Sequence, residues 1–214
     1  MPPELPVGPV LEVAGVFVGA MSGALAAVRK QFDVFGILVL AWAAGLGGGV
    51  LRDVLIGAVP PVGISDLRLV GAALAAGLVM YFGHPRLERA RRMILVLDAG
   101  ALALFCVVGT IKGLEHGTTA LAAVVVGVLT GVGGGILRDL LTGEVPVVLH
   151  HRQLYAVPAL LGSLAVAGLW HLGWAGAVGQ TAVAAGVFAL RIAALRFRLN
   201  APGPWRGGGT TDTS

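Results

Sequence analysis

The chain has 214 residues and a formal net charge of +4, and only 12% of its residues are Asp, Glu, Lys or Arg, whereas 57% are hydrophobic. The charged share is about half of that in an average soluble protein. This composition excludes a disordered chain, a collagen and a coiled coil, and it favours an all-α integral membrane protein.

Apolar segments long enough to cross a membrane follow one another along the chain. A helix needs about 20 mostly apolar residues to cross about 30 Å of hydrocarbon. We therefore predict seven transmembrane helices, with a short external tail at 1–9 and a disordered tail at 200–214. The predicted spans are 10–28, 34–59, 67–82, 93–111, 118–148, 153–170 and 174–197.

Lysine and arginine are distributed unevenly over the loops that alternate between the two membrane faces. One face carries only Arg68 and Lys112. The excess on the other face marks the cytoplasm, so we predict an inner or plasma membrane protein with its N-terminus outside and C-terminus inside. The same explanation covers the basic loop 84–92, so membrane lipids are expected partners and nucleic acid is not. The cytoplasmic set is Arg29, Lys30, Arg86, Arg89, Arg91, Arg92, Arg152, Arg191, Arg196, Arg198 and Arg206.

The chain contains an internal repeat with an offset of 86 residues. The segment GLGGGVLRDVLIGAVP at 45–60 aligns with GVGGGILRDLLTGEVP at 131–146, and eleven of the sixteen positions are identical. Each copy holds three spans, so the second copy must enter the membrane from the opposite face. We predict inverted repeats at 10–83 and 93–171, followed by an additional helix at 172–199. Such repeats commonly surround a substrate or ion path.

Three consecutive glycines lie inside the second span and again inside the fifth. Each glycine costs nearly 1 kcal/mol relative to alanine in a helix interior, so the triplets predict kinks or local unwinding. Freed backbone groups at this depth need water or protein partners, which favours a hydrated path. The alternative is that small residues permit close helix crossing. The candidate pore residues are Gly47, Gly48, Gly49, Gly133, Gly134 and Gly135.

Two charged residues follow each glycine triplet within apolar sequence. They are Arg52 with Asp53, and Arg138 with Asp139. A charge at the centre of a membrane helix costs about 2.5–3.5 kcal/mol, so each needs a partner or a wet cavity. Side chains of adjacent residues point about 100° apart, so we expect each arginine and its neighbouring aspartate to be poor partners.

Better partners for the arginines lie on the first helix of each repeat. The topology brings Glu12 to the depth of Arg52, and inversion brings Asp98 to the depth of Arg138. We therefore predict the ion pairs Glu12–Arg52 and Asp98–Arg138. The alternative is that the arginines extend to the membrane interface or bond to carbonyl groups at a helix end.

The sequence predicts neither an enzyme nor a metalloprotein. No nucleophile, base and orienting group stand at a recognisable spacing. The five histidines have no carboxylate cluster at metal-ligand spacing. No cofactor is expected, and potassium or sodium ions would be permeants.

The doubled motif GGG-x-x-RD, placed in helices two and five of inverted three-helix halves, resembles bacterial and archaeal members of the trimeric intracellular cation channel (TRIC) family. The resemblance covers residues 10–198. It implies a homotrimer with a pore in each protomer, kinked at 47–49 and 133–135, that conducts monovalent cations, mainly potassium. It places Arg52, Asp53, Arg138 and Asp139 near the path. The lysine-containing motif of animal members is absent, so their lipid-regulated gating is not implied.

Three functions remain open at this point. A potassium-permeable channel would use backbone carbonyls and Asp53 or Asp139 to favour cations. Relatives in the same broad grouping are described as glycine transporters, and inverted repeats suit a carrier for a small zwitterion. A membrane scaffold would explain the small residues but not the four intramembrane charges.

Overall fold

The protein is described by a computed structural model that covers residues 7–83, 87–149, 155–197 and 199. Over these ranges the regular secondary structure is helical. Seven long helices occupy the positions of the predicted spans, and a short helix, α3, lies in the connection after the second one. The helices are α1 Val7–Arg29, α2 Val34–Ile56, α3 Val62–Ser65, α4 Leu67–Gly83, α5 Leu87–Glu115, α6 Ala120–Leu141, α7 Ala156–His171 and α8 Ala177–Phe197.

Five of the helices, α1, α2, α5, α6 and α8, have the length and hydropathy of membrane spans. Helices α4 and α7 are apolar but have only 17 and 16 residues, or about 25 Å of helix. Large apolar side chains face outward, including Phe35 at 72%, Leu121 at 75% and Val178 at 84% exposure. An apolar exterior of this kind fits lipid, so the chain is a multi-pass membrane protein.

Local sequence signals set the ends of the two repeated helices. Asp33 precedes α2 and its carboxylate accepts a hydrogen bond from the Gly36 amide at 2.8 Å. Thr119 precedes α6 and accepts from Ala122 at 3.2 Å. Gly57 caps the end of α2 with φ of 73°, a left-handed conformation that favours glycine. These caps satisfy amides and carbonyls that helix ends leave free.

The first helices of the two halves, α1 and α5, run antiparallel. Glu12 near the start of α1 bonds to Lys112 near the end of α5. Further along α1, Ser22 lies at the level of Asp98 in the first half of α5, since Arg138 bonds to both. Equivalent helices therefore point in opposite directions, as inverted repeats require.

Helices α2 and α6 cross at their glycines, and the crossing has the symmetry of the repeat. A Cβ atom on Gly48 would collide with the Thr130 carbonyl oxygen, and one on Gly134 would collide with the Ala44 carbonyl oxygen. Residues 48 and 134 are 86 apart, and so are residues 44 and 130, so the two contacts occupy equivalent positions in the two halves. The crossing thus lies on a pseudo-twofold axis that relates the halves.

The glycine triplets do not interrupt their helices. Helix α2 runs continuously through 47–49, and α6 runs continuously through 133–135. The prediction of local unwinding is therefore wrong, and close helix crossing explains Gly48 and Gly134. Packing of backbone against backbone offsets the low helix propensity of glycine. A change of axis direction at these glycines remains a prediction.

Each half has its own apolar core, and the additional helix joins the second one. The first core is built from α1, α2 and α4 with part of α5. The second is built from α5, α6 and α7, against which α8 buries Ala184 and Val187. Half of the buried residues of the first core are alanines, which lets its helices approach closely.

Some predictions fall outside the described residues. They concern the external tail at 1–6, residues 84–86 of the basic loop, the segment 150–154, residue 198 and the tail at 200–214. For these segments the statements made from the sequence remain predictions.

Candidate functional site: two buried charge clusters

The first charge cluster consists of Glu12, Arg52, Asp53 and Lys112. Arg52 is 1% exposed. Its Nη1 donates to Glu12 Oε1 at 3.1 Å, and its Nε donates to Asp53 Oδ1 at 2.8 Å. Lys112 Nζ donates to both Glu12 oxygens, at 2.7 and 2.9 Å. Two cations and two carboxylates therefore balance in a buried site.

The second charge cluster consists of Ser22, Asp98, Arg138 and Asp139. Arg138 Nη1 donates to Asp98 Oδ1 at 2.8 Å and to Ser22 Oγ at 2.7 Å. Its Nε and Nη2 both bind Asp139 Oδ1, at 2.8 and 2.7 Å. One cation thus bonds to two carboxylates, and the three nitrogens of its guanidinium all have partners.

The aspartate in each cluster also fixes the segment that follows its helix. Asp53 Oδ2 accepts from the Val62 amide at 2.8 Å, at the start of α3. Asp139 Oδ2 accepts from the Val147 amide at 2.9 Å, at the start of a 3₁₀ turn, Val147–Leu149. The same network thus recurs in both halves, which explains why the RD pair is repeated with the glycines.

Both predicted ion pairs, Glu12–Arg52 and Asp98–Arg138, are confirmed. The expectation that Asp53 would be a poor partner of Arg52 is wrong. The same expectation is wrong for Asp139 and Arg138. An arginine side chain is long enough to fold back along its helix, so Nε reaches the neighbouring carboxylate. The interface alternative is also wrong, since both arginines are buried.

Two members of the clusters were not predicted, because the other half of the repeat has a different residue at the equivalent position. The sequence placed Lys112 on the outer face without a partner, and the structure shows that it bonds to Glu12. Its equivalent in the first half is Ala26, and the equivalent of Ser22 is Val108. The predicted topology could have identified the bond between Lys112 and Glu12, because it places both residues near the same membrane face.

Tyr155 and Arg191 extend the second cluster toward α8. The sequence placed Arg191 among the cytoplasmic residues, but Arg191 is buried at 0% exposure, and Tyr155 beside it is buried at 3%. Arg191 Cζ lies 4.6 Å from the centre of the Tyr155 ring, a cation–π contact. The Tyr155 hydroxyl lies beside the Asp98 carboxylate, next to Gly135. Helix α8 therefore reaches the charged centre of the second half.

Two cavities adjoin Arg138. The wide cavity, of about 440 Å³, opens at the ends of α1 and α6 and has Arg138 and Asp139 in its lining. The small cavity, of about 10 Å³, is lined by Ser22, Asp98 and Gly134 as well as Arg138. This volume is about the space of one water molecule. Arg138 lines both cavities and so separates them.

The chemistry of the site is that of fixed charges in a membrane. Across the described ranges, no three His, Cys, Asp or Glu side chains are grouped as metal ligands would be. Beyond the small cavity, the backbones of α2 and α6 are in contact at Gly48 and Gly134. The arrangement offers fixed charges and hydrogen-bond partners beside two cavities, and a continuous passage requires the Arg138 side chain and this crossing to move.

A family model described as "Glycine transporter" matches the chain twice, at residues 9–85 and 95–171, with the offset of the repeat. The chain is 44% identical over 157 residues to a UPF0126 membrane protein of Deinococcus radiodurans, covering 73% of each. The chain belongs to the UPF0126 membrane protein family, which this model describes. The UPF0126 inner membrane protein YadS of Escherichia coli is 33% identical over 198 residues, covering 90% of this chain and 93% of YadS.

Solved structures confirm the resemblance to prokaryotic TRIC channels. The trimeric intracellular cation channel orthologue from Rhodobacter sphaeroides superposes on this UPF0126 protein with a TM-score of 0.85 and 36% identity, covering 91% of this chain and all of that one. A second TRIC cation channel structure gives a TM-score of 0.82 and 29% identity, with 94% and 98% covered. The fold is thus that of a TRIC channel.

Proposed function

We propose that the protein is a potassium-permeable channel for monovalent cations, with one ion pathway in each protomer. The observation that carries the proposal is the position of Arg138 between two cavities, fully bonded to two carboxylates and a serine. The similarity to the TRIC orthologue supports the same conclusion. The name of that relative also supports a homotrimer, and the description of YadS supports the inner membrane.

In this proposal all seven long helices cross the membrane, with the N-terminus outside. The wide cavity then faces the cytoplasm, where α1 and α6 end. The first charge cluster lies near the outer face, and the α2–α6 crossing lies between the two clusters. The pathway therefore runs from the wide cavity past Arg138 to the crossing, and then past Arg52 to the outside.

The two charge clusters along this path are each balanced. Arg138 and Arg191 balance Asp98 and Asp139, and Arg52 and Lys112 balance Glu12 and Asp53, so in this proposal the preference for cations comes from the oxygen atoms that meet the ion. Permeation requires Arg138 to exchange one carboxylate for water, so that the cavities connect. At the crossing, the Thr130 and Ala44 carbonyl oxygens pack against Gly48 and Gly134, and separation of the two helices would bring these oxygens to the path, where carbonyl oxygens can replace the hydration shell of potassium.

A second candidate function is secondary transport of a small amino acid such as glycine. The description of the matching family model favours it, and so does the inverted repeat, since alternating access commonly uses such pairs. A glycine carboxylate would bind Arg138 or Arg52, and its ammonium group would bind an aspartate of the same cluster.

Reconstitution into liposomes separates the two functions. A channel gives potassium currents with resolved single-channel steps in planar bilayers formed from those liposomes, without added glycine. A carrier gives saturable glycine uptake that follows an ion gradient and shows no unitary steps. Protein-free liposomes and liposomes with heat-unfolded protein are the controls. Glycine accumulation without potassium current would reject the channel in favour of the carrier.

A further inference from the structure

The carboxylate of Asp98, which holds Arg138, has a second hydrogen-bond donor. Tyr155 Oη and Asp98 Oδ1 lie 2.7 and 2.9 Å from the point that a Cβ atom on Gly135 would occupy, and the hydroxyl donates a hydrogen bond to the carboxylate. Because Gly135 has no side chain, the two groups can meet beside the backbone of α6. Asp98 therefore bonds both to Arg138 and to Tyr155.

Helix α8 fixes the ring that carries this hydroxyl. Arg191 is buried, and its Cζ lies 4.6 Å from the centre of the Tyr155 ring. A cation over the face of an aromatic ring is attracted to its π electrons, and this contact restrains the ring. Tyr155 directly precedes α7 and lies outside the linings of both cavities. The ring is thus held by a contact in which Arg138 takes no part.

The first cluster also gives its carboxylate a second donor, but through a different residue. Lys112 Nζ bonds to both oxygens of Glu12, and Oε1 of that carboxylate also accepts from Arg52. The repeat does not supply these second donors, since the positions equivalent to the tyrosine and the lysine hold Leu69 and Ala26, whose side chains have no donor. Both halves therefore bond the carboxylate twice, by unrelated side chains.

A second donor matters when the arginine releases its carboxylate. A buried carboxylate without any donor bears the full cost of its lost hydration, whereas a carboxylate that keeps one donor bears less of it. The proposed pathway requires such a release by Arg138. After the release, Asp98 keeps its bond to Tyr155, and the charge of Arg191 still attracts it.

We propose that Tyr155 is a positioning residue of the channel gate, oriented by Arg191. Its hydroxyl keeps the Asp98 carboxylate bonded while Arg138 is released, and this stabilises the conducting state. The lysine of the first cluster has the same part in that cluster. This role rests on the proposed channel function, and it gives the additional helix α8 a task in opening the pathway.

The variant Tyr155→Phe tests the role, because it removes the hydroxyl and keeps the ring under Arg191. In single-channel recordings its open probability should fall roughly tenfold, since the released carboxylate has then lost its last donor. The unitary conductance should stay the same, because Tyr155 lines neither cavity. Tyr81→Phe is the matched control. Tyr81 is the other tyrosine of the chain and lies 41% exposed on α4, so its variant should open as the wild type does.

A second background separates this role from a structural one. Asp98→Asn replaces the carboxylate with a neutral amide, which carries no charge for the hydroxyl to stabilise. Adding Tyr155→Phe to Asp98→Asn should therefore change the open probability by less than about twofold. A hydroxyl that only supports the fold would lower the open probability equally in both backgrounds.

Each outcome supports or overturns the role. A fall in open probability that Tyr155→Phe causes in the wild type but not in Asp98→Asn supports it. An unchanged open probability in Tyr155→Phe, or an equal fall in both backgrounds, would overturn it and leave the channel function standing. Wild-type protein that gives no current would reject the channel function and this role together.

Discussion

Arg52 and Arg138 are each held by a carboxylate from another helix and by the carboxylate of the next residue. An unpaired charge in such a place costs several kcal/mol, so the sequence required partners at matching depth, and Glu12 and Asp98 were predictable for that reason. The partnership with the adjacent aspartate was not predictable from helix angles, because the length of arginine overrides them. Lys112 was missed because only one half of the repeat has it.

The pairing in the second cluster predicts strong coupling between Arg138 and Asp98. Replacing Arg138 with Met removes the cation that bonds to both Asp98 and Asp139, and should lower the free energy of unfolding by about 3–5 kcal/mol. Adding Asp98→Asn should recover part of that loss, with a coupling of at least about 1 kcal/mol. Denaturant titration in mixed micelles measures both.

An exposed pair serves as the control for this cycle. The Arg68 side chain is 78% exposed and bonds to Asp66, so Arg68→Met should cost less than about 1 kcal/mol. If the losses from Arg138→Met and Asp98→Asn simply add, the two residues do not stabilise each other.

At the scale of elements, the positions of the seven long helices followed from hydropathy, whereas the effect of the glycine triplets did not. Low propensity suggested unwinding, but α2 and α6 remain continuous because tertiary packing against each other stabilises them. The sequence of a single helix does not show which other helix it packs against. The alternative of close crossing was available from the spacing of small residues, and only the crossing partner was unknown.

The crossing predicts that added methyl groups will be harmful at its centre. Gly48→Ala places a Cβ against the Thr130 carbonyl oxygen, and overpacking of this kind costs about 1–3 kcal/mol. Gly71→Ala is the matched control, since that helical glycine has open space and alanine should stabilise it by up to about 1 kcal/mol. Thermal unfolding compares the two, and equal effects would contradict the proposed packing.

The cation–π contact made by α8 predicts a second energetic coupling, between Arg191 and Tyr155. A desolvated cation–π contact contributes about 2 kcal/mol, so Arg191→Met should destabilise the protein by at least that amount. Tyr155→Leu removes the ring, and afterwards Arg191→Met should cost less. The free energy of unfolding of the four proteins in this cycle checks it, and strictly additive losses would show that the ring does not bind the guanidinium.

For the whole molecule, the sequence repeat predicted the pseudo-twofold symmetry, but it did not predict where the two halves differ from each other. The equivalent of Tyr155 in the first half is Leu69, and α8 has no counterpart. The second cluster therefore gains an aromatic ring and a further cation that alignment of the halves could not reveal. The two ends of the proposed pathway thus differ in chemistry, although the helices that form them are equivalent.

The inverted arrangement predicts opposite accessibility for two introduced cysteines. The native Cys106 is buried and can be replaced by Ala to give an unreactive background. In oriented vesicles, a membrane-impermeant thiol reagent should label Arg68→Cys from the outside only and Glu144→Cys from the cytoplasmic side only. Labelling of both from one side would contradict the proposed crossing of all seven helices.

The most direct test of the proposed pathway is silver block of a cysteine beyond Arg138. Ser22 lines the small cavity, so in the Cys106→Ala background we expect silver ions to reach Ser22→Cys along the potassium path and abolish single-channel current irreversibly. Leu121→Cys, which is 75% exposed on the outer surface of the bundle, should conduct as before. A potassium current that persists in Ser22→Cys after silver treatment would show that ions take another route.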